Sequence, residues 1–132
     1  KIGKNVVIRP SVKITYPWKL TLGDYAWVGD DAVLYTLGEI TIGANSVVSQ
    51  KCYLCTGSHD FMSQHFDITA TPVVIGEKCW LATDVFVAPG VSVGDGTVVG
   101  ARSSVFKSLP ANKICRGNPA VVIRERVETE KL

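Results

Sequence analysis

Apolar residues in this chain recur every sixth position. From Ile75 to Ser104 the sequence divides into IGEKCW, LATDVF, VAPGVS, VGDGTV and VGARSS, with Ile75, Leu81, Val87, Val93 and Val99 opening successive units and Val105 opening a sixth. The next position is small (Gly76, Ala82, Ala88, Gly94, Gly100), and four places after each aliphatic comes Cys79, Val85, Val91, Thr97 or Ser103. Neither a helix of period 3.6 nor an alternating strand of period 2 requires a six-residue repeat. A coil with three short flat sides does, because one aliphatic per side then points inward and stacks on its equivalent one turn later. The pattern therefore predicts a prism of short parallel strands filled by stacked aliphatics, with self-association to cover its faces and edges.

The same frame runs through the first half of the chain. It opens at Ile2, Ile8 and Ile14, resumes at Leu22, Val28 and Leu34, and resumes again at Ile42, Val48 and Leu54. The first interruption contains Pro17 and Trp18 and the second contains Ile40 and Thr41, each adding two residues after about three units. That spacing fits a three-sided coil that tolerates additions at one corner. From Thr56 to Pro72 no unit can be placed, and both histidines, His59 and His65, lie in this break. A loop of that length on a regular coil is either a tolerated insertion or a working part. Residues 107–110 (KSLP) end the regular coil, residues 114–120 read as turn-rich, and residues 121–132 read as a charged end that forms a short helix or frays. The expected organisation is one β-helical domain over residues 1–119, with the loop 56–72 inserted, and a tail over 120–132.

Composition narrows the class. Of the 132 residues, 46% are hydrophobic and 20% charged, a globular balance, and the formal net charge of +2 argues for neither nucleic acid nor an anionic membrane as partner. No apolar run reaches the ~18 residues that span a bilayer. Lys1 precedes a repeat already in phase, so further chain ahead of it is expected and a targeting segment is left open. Cys52 and Cys55 form a C-x-x-C pair without the second pair that completes a zinc site. Cys52 and Cys79 occupy the small inward slot, where a thiol acts as a compact apolar group, so all four cysteines read as reduced and the setting as cytoplasmic.

The repeat, the break at Thr56-Gly57-Ser58-His59-Asp60 and the ending Arg116-Gly117-Asn118-Pro119-Ala120 resemble the hexapeptide-repeat acyltransferases. More narrowly the chain is similar to sugar O-acetyltransferases of bacterial polysaccharide biosynthesis, and Leu54–Asp60 to their colanic-acid branch. The repeat alone specifies only a fold, because nucleotidyltransferases and carbonic anhydrases share it. The resemblance implies a left-handed parallel β-helix assembled as a homotrimer, a hand opposite to the usual crossover preference. It further implies active sites in clefts between prisms, acetyl-CoA as donor, and a sugar or carrier-linked sugar as acceptor.

Attack of a sugar hydroxyl on a thioester needs a base to take the hydroxyl proton, and a neutral imidazole suits the task. His59 matches the histidine that the resembled family uses for this, while His65 reads as surface or substrate-contacting. Asp60, a carboxylate from another turn, or a backbone carbonyl could fix the tautomer of His59. The family's asparagine near the thioester aligns with Gly29, which leaves Asp30 and Asp31 as candidates for that role. The thioester oxygen needs hydrogen-bond donors as it gains charge, and Trp80, Leu81 and Ala82 run past the matching place. Trp80 also matches a cleft wall. Thr83 and Ala101 match contacts to the pantetheine arm, and Lys107 and Arg124 match cations near the phosphates. A further family arginine aligns with Val121, for which Arg116 is the substitute, and Asn118 belongs to a turn beside the adenine end. The implied activity is transfer of an acetyl group from acetyl-CoA to a sugar hydroxyl, in exopolysaccharide biosynthesis, with no metal.

Three other readings compete. A zinc hydratase on this coil needs three imidazoles per site, whereas the chain has two histidines, both in one loop. An acetyltransferase acting on a sugar amine or on serine keeps the chemistry and changes the acceptor. A non-catalytic trimeric β-helix module keeps only the fold.

Overall fold

The computed structural model describes residues 1–127. Two- or three-residue strands rich in Val, Ile and Leu form three parallel faces, visited in the same order on every turn. Strands this short have no independent stability. They persist because each pairs with its equivalents one turn before and one turn after.

The first face stacks β1 (Val7–Ile8), β4 (Trp27–Val28), β7 (Val47–Val48), β12 (Trp80–Leu81), β15 (Val98–Val99) and β17 (Lys113–Gly117), with β18 (Ala120–Glu125) added antiparallel at its edge. The second face stacks β2 (Lys13–Ile14), β5 (Val33–Tyr35), β8 (Tyr53–Cys55), β13 (Phe86–Val87) and β16 (Ser104–Val105). The third stacks β3 (Leu20–Leu22), β6 (Ile40–Ile42), β11 (Val73–Ile75) and β14 (Ser92–Val93), extended by bridges from Ile2 to Leu22 and from Val93 to Leu109. A two-stranded antiparallel hairpin, β9 (Gly57–His59) and β10 (Ile68–Ala70), leaves the coil between the second and third faces. This is a parallel β-helix, and among the described residues it is all-β apart from one turn of 3-10 helix at Pro17–Lys19 that takes up the first two-residue slip.

Register places the repeating aliphatics over one another: Val28, Val48, Leu81, Val99 and Cys115 on the first face, Ile14, Leu34, Leu54, Val87 and Val105 on the second, and Leu22, Ile42, Ile75 and Val93 on the third. From Leu20 onward these side chains are buried and form one core along the axis. Full burial of each Val, Leu or Ile contributes about 1.5–3 kcal/mol. The hydroxyls buried among them are all bonded. Ser46 donates to the Gly76 carbonyl at 2.6 Å and accepts from the Cys79 amide at 2.9 Å, and Thr97 donates to the Pro110 carbonyl and accepts from the Lys113 amide.

The small slot has a different cause from the positive-φ geometry that its glycines suggest. Left-handed backbone falls two residues later, mostly on non-glycines such as Tyr25, Asp31, Asn45, Lys51, Lys78, Asp84 and Arg102. The glycines admit the neighbouring turn: a Cβ on Gly43 would lie 2.6 Å from the Glu77 amide nitrogen.

The carboxyl-terminal region departs from expectation. Residues 113–117 continue the first face as β17, with Cys115 stacked on Val99, and residues 120–125 turn back as β18 where a helix or a frayed end was expected. Arg126 fastens its end by donating to the carbonyls of Lys78 and Gly96, each at 2.9 Å. Residues 128–132 of the expected tail lie outside the described residues.

Candidate active site

The candidate residues fall on two different edges of the tube. The first corner, between the first and second faces, is made by residues 29–32, 49–52, 82–85 and 100–103; the second corner, between the second and third faces, gives rise to the hairpin.

At the second corner the hairpin is rooted by buried Thr56, whose Oγ1 donates to the Tyr35 carbonyl at 2.5 Å and accepts from the Gly38 amide at 2.8 Å. His59 ends β9 opposite Ile68. Beyond it the chain tightens: the Asp60 amide donates to the Asp67 carbonyl at 2.8 Å, and Ser63 Oγ donates to the Asp60 carbonyl and accepts from the Asp67 amide, both at 2.8 Å. These bonds set Phe66 in the left-handed region (φ 51°), and its carbonyl oxygen lies 2.9 Å from His59 Nδ1. A carbonyl can only accept, so Nδ1 carries the hydrogen and Nε2 of the neutral ring keeps a lone pair. Among the described residues the orienting partner present is the backbone carbonyl. Asp60 instead caps the loop, its Oδ1 accepting from the Met62 amide at 3.0 Å.

The imidazole is exposed beside a recess of about 130 Å³ walled by Tyr35, Leu37, Gly57 and Ile68. Gly57 makes that wall possible, because a Cβ there would meet Leu37 Cδ1 at 2.6 Å and Tyr35 Cε2 at 2.7 Å. His65 lies exposed in the loop, and Lys107 follows β16 at this same corner.

The first corner collects most of the others. Trp80 is half-exposed on the first face and donates from Nε1 to Ser49 Oγ at 2.9 Å. Thr83 Oγ1 donates to the Gln50 carbonyl at 3.2 Å. The Trp80 and Ala82 amides are committed to the carbonyls of Thr97 and Val99, at 3.1 and 2.9 Å. Among the described residues the amides of Thr83 and Ala101 have no hydrogen-bond acceptor, like those of Asp30 and Gln50 at the equivalent place on earlier turns, and on the turns of Trp80 and Gly100 they are available as donors. Arg116 packs over Gly100 at the top of this corner, and the Gly117 amide donates to Ser103 Oγ at 3.0 Å, which brings the Asn118 turn alongside. Arg124 lies across the terminal ribbon, paired with Ile114.

Lower on the first corner a polar recess of about 370 Å³ is lined by residues that include Asp30, Asp31 and Trp27. Arg9 Nε donates to Asp30 Oδ1 at 3.0 Å, and the Asp31 amide donates to Ser11 Oγ at 2.9 Å. Gly29 has no room for a side chain, since a Cβ there would lie 2.7 Å from the Gln50 amide nitrogen.

The structure thus gathers Asp30, Asp31, Trp80, Ala82, Thr83, Ala101, Arg116 and Asn118 along one edge and His59, Asp60 and Lys107 along another. The carbonyl of Phe66 and the walls made by Tyr35 and Leu37 escape a reading of the sequence, because a main-chain acceptor has no residue-type signature. Cys52, Cys79 and Cys115 are buried and Cys55 is half-buried, all as free thiols. Burial pushes the Cys52 thiol up to about 11 and raises those of Cys79 and Cys115. Among the described residues no group of three or more His, Cys, Asp or Glu is placed to hold a metal, and no helix is long and apolar enough to cross a membrane.

Fold and repeat together define a hexapeptide-repeat β-helix. Residues 72–107 match the family model described as bacterial transferase hexapeptide (six repeats). Over 130 residues the chain is 89% identical to WcaF of Escherichia coli (strain K12), named as a colanic acid biosynthesis acetyltransferase; the match covers 98% of this chain and 71% of that protein. Two solved structures superpose closely. A maltose O-acetyltransferase from Clostridium difficile 630 gives a TM-score of 0.90 at 28% identity, covering 96% of this chain and 69% of that one. A galactoside acetyltransferase in complex with coenzyme A gives 0.91 at 28% identity, covering 96% and 64%. The chain belongs to the hexapeptide-repeat acetyltransferases and is itself an acetyltransferase.

Proposed function

We propose that this acetyltransferase moves an acetyl group from acetyl-CoA to a hydroxyl of a sugar destined for an exopolysaccharide of the colanic-acid type, at the cytoplasmic face of the membrane. The observation that carries the reading is the bond between His59 Nδ1 and the Phe66 carbonyl, which leaves Nε2 with a lone pair at an exposed position. In this reading Nε2 takes the proton of the sugar hydroxyl as its oxygen attacks the thioester carbon. The tetrahedral oxyanion draws hydrogen bonds from the amides of Thr83 and Ala101, the thiolate of CoA leaves, and the proton returns to it from the imidazolium.

The edge separation argues for a shared site. His59 stands on the second corner, and Trp80, Thr83, Ala101, Arg116 and Asn118 stand on the first. A base on one edge reaches a donor laid along the other only if the donor lies on a second copy, which a closed ring of three provides. Lys107 then approaches CoA from the histidine's side of the cleft, while Arg116 and Arg124 approach it from the other.

The test is free-thiol release from acetyl-CoA with nucleotide- and lipid-linked sugars as acceptors. Acceptor-dependent release that falls about 10²–10⁴-fold in His59→Ala supports the reading. Release undiminished in that variant removes His59 as base.

A further inference from the structure

A recess of about 370 Å³ lies on the first corner below Trp80. On the parallel strands of the first face the exposed apolar positions are Trp27, Val47 and Trp80, and around Trp27 the recess adds two cations, two carboxylates and an amide. Trp27 is 43% exposed, and on its face it is flanked by Val7 on one side and Val47 on the other, which hold the ring as a platform. Arg9 is tethered through Nε to Asp30 at 3.0 Å, which leaves its two terminal nitrogens as donors. Asp31 and Lys51 occupy left-handed corners of adjacent turns, with φ 61° and 62°, and the Lys51 amide is fixed on the Asp30 carbonyl at 2.9 Å. The side chains of Lys51 and Asp31 form no ion pair among the described residues.

Charge decides between ligand classes. Arg9 and Lys51 are offset by Asp30 and Asp31, so the recess carries no net charge and has no surplus of cations for a diphosphate or a uronate. An aromatic platform ringed by both donors and acceptors matches a pyranose, whose carbon face is apolar and whose rim of hydroxyls both gives and takes hydrogen bonds. A volume of about 370 Å³ is of the size that holds a small ligand. The recess lies on the same edge as Trp80 and Thr83, within a turn or two along the axis, so a sugar seated there extends toward the proposed acetyl donor.

We infer that this recess is a glycan subsite for an uncharged pyranose of the acceptor, with Trp27 as stacking platform and Arg9, Asp30, Gln50 and Lys51 reading its hydroxyls. The inference rests on the acetyltransferase reading for its purpose, and its binding test is independent of catalysis. Saturation-transfer NMR on the His59→Ala protein would use methyl β-D-galactopyranoside and methyl β-D-glucopyranoside as neutral probes, methyl β-D-glucuronide as charged probe and UDP as nucleotide probe. Expected is transfer to the ring protons of a neutral glycoside, about tenfold weaker binding in Trp27→Ala, and weakening in Gln50→Ala and Lys51→Ala with far-ultraviolet circular dichroism unchanged. Neutral glycosides that do not bind, that bind all three variants as well as the parent, or that are outcompeted by UDP or the glucuronide overturn the inference. Glycoside binding that depends on Trp27, found together with no acceptor-dependent thiol release by the unsubstituted protein, overturns the proposed function and leaves the subsite standing.

Discussion

At the scale of single residues, the proposed chemistry depends on a side chain whose orientation is set by main chain. His59 is held through Nδ1 by a carbonyl that Phe66 presents only because the Asp60–Asp67 turn forces it into left-handed backbone. Removing the imidazole should therefore act on turnover and not on folding: His59→Ala loses about 10²–10⁴-fold in kcat with the thermal midpoint unchanged, read by thiol release and by calorimetry. Gly57→Val should produce a similar loss by another route. Its side chain would collide with Tyr35 and Leu37 and close the recess beside the ring. The cysteines give a prediction in pH. Burial holds the Cys52 thiol protonated, up to about 11 from an ordinary value of 9.0. Below pH 9 both folded and unfolded chains carry the thiol and its contribution is complete. As pH rises from about 9 toward 11 only the unfolded chain ionises, so stability falls. Denaturant midpoints at pH 8 and pH 10.5 should show the loss, and Cys52→Ala or Cys52→Val should reduce it. A pH dependence unchanged by both variants contradicts the assignment.

At the scale of elements, each strand is too short to stand alone and each turn is defined by its neighbours. Leu81 stacks between Val48 and Val99 and is wholly buried. Leu81→Ala should cost about 2–5 kcal/mol, measured by urea unfolding, whereas the exposed neighbour Trp80→Ala should cost far less in stability and more in activity. The six-residue period made this much legible in advance: the three ladders, the corner slips at Pro17 and Ile40, the inward thiols and the loop 56–72 all follow from where Ile, Leu and Val fall. The terminal ribbon was not legible, because residues 113–125 leave the period and their partner is each other. The role of the small slot is not legible for a related reason, since glycine signals either left-handed backbone or close approach, and only the neighbouring turn tells which. In the site, the family resemblance pointed to His59 and to the first-corner row, but the free amides of Thr83 and Ala101 depend on which amides the ladder consumes. The Trp27 recess was visible only as Asp30 and Asp31, because Arg9, Trp27 and Lys51 come from three different turns.

At the scale of the whole molecule, the tube separates base from donor. A triangular coil has three edges, and the described structure places the proposed base on one and the proposed donor and acceptor sites on the next. A lone chain should therefore be inactive, and activity should follow assembly. Co-expression of two differently tagged defective chains tests this most directly, one carrying His59→Ala and the other Ala101→Trp to block the donor row. Each homogeneous protein should be inactive. Mixed assemblies purified through both tags should recover activity, to about a third of the unsubstituted level, because every mixed closed ring of three has one seam that joins an intact histidine to an intact first corner. Mixed assemblies as inactive as their parents would place both halves of the site on one chain and contradict the account.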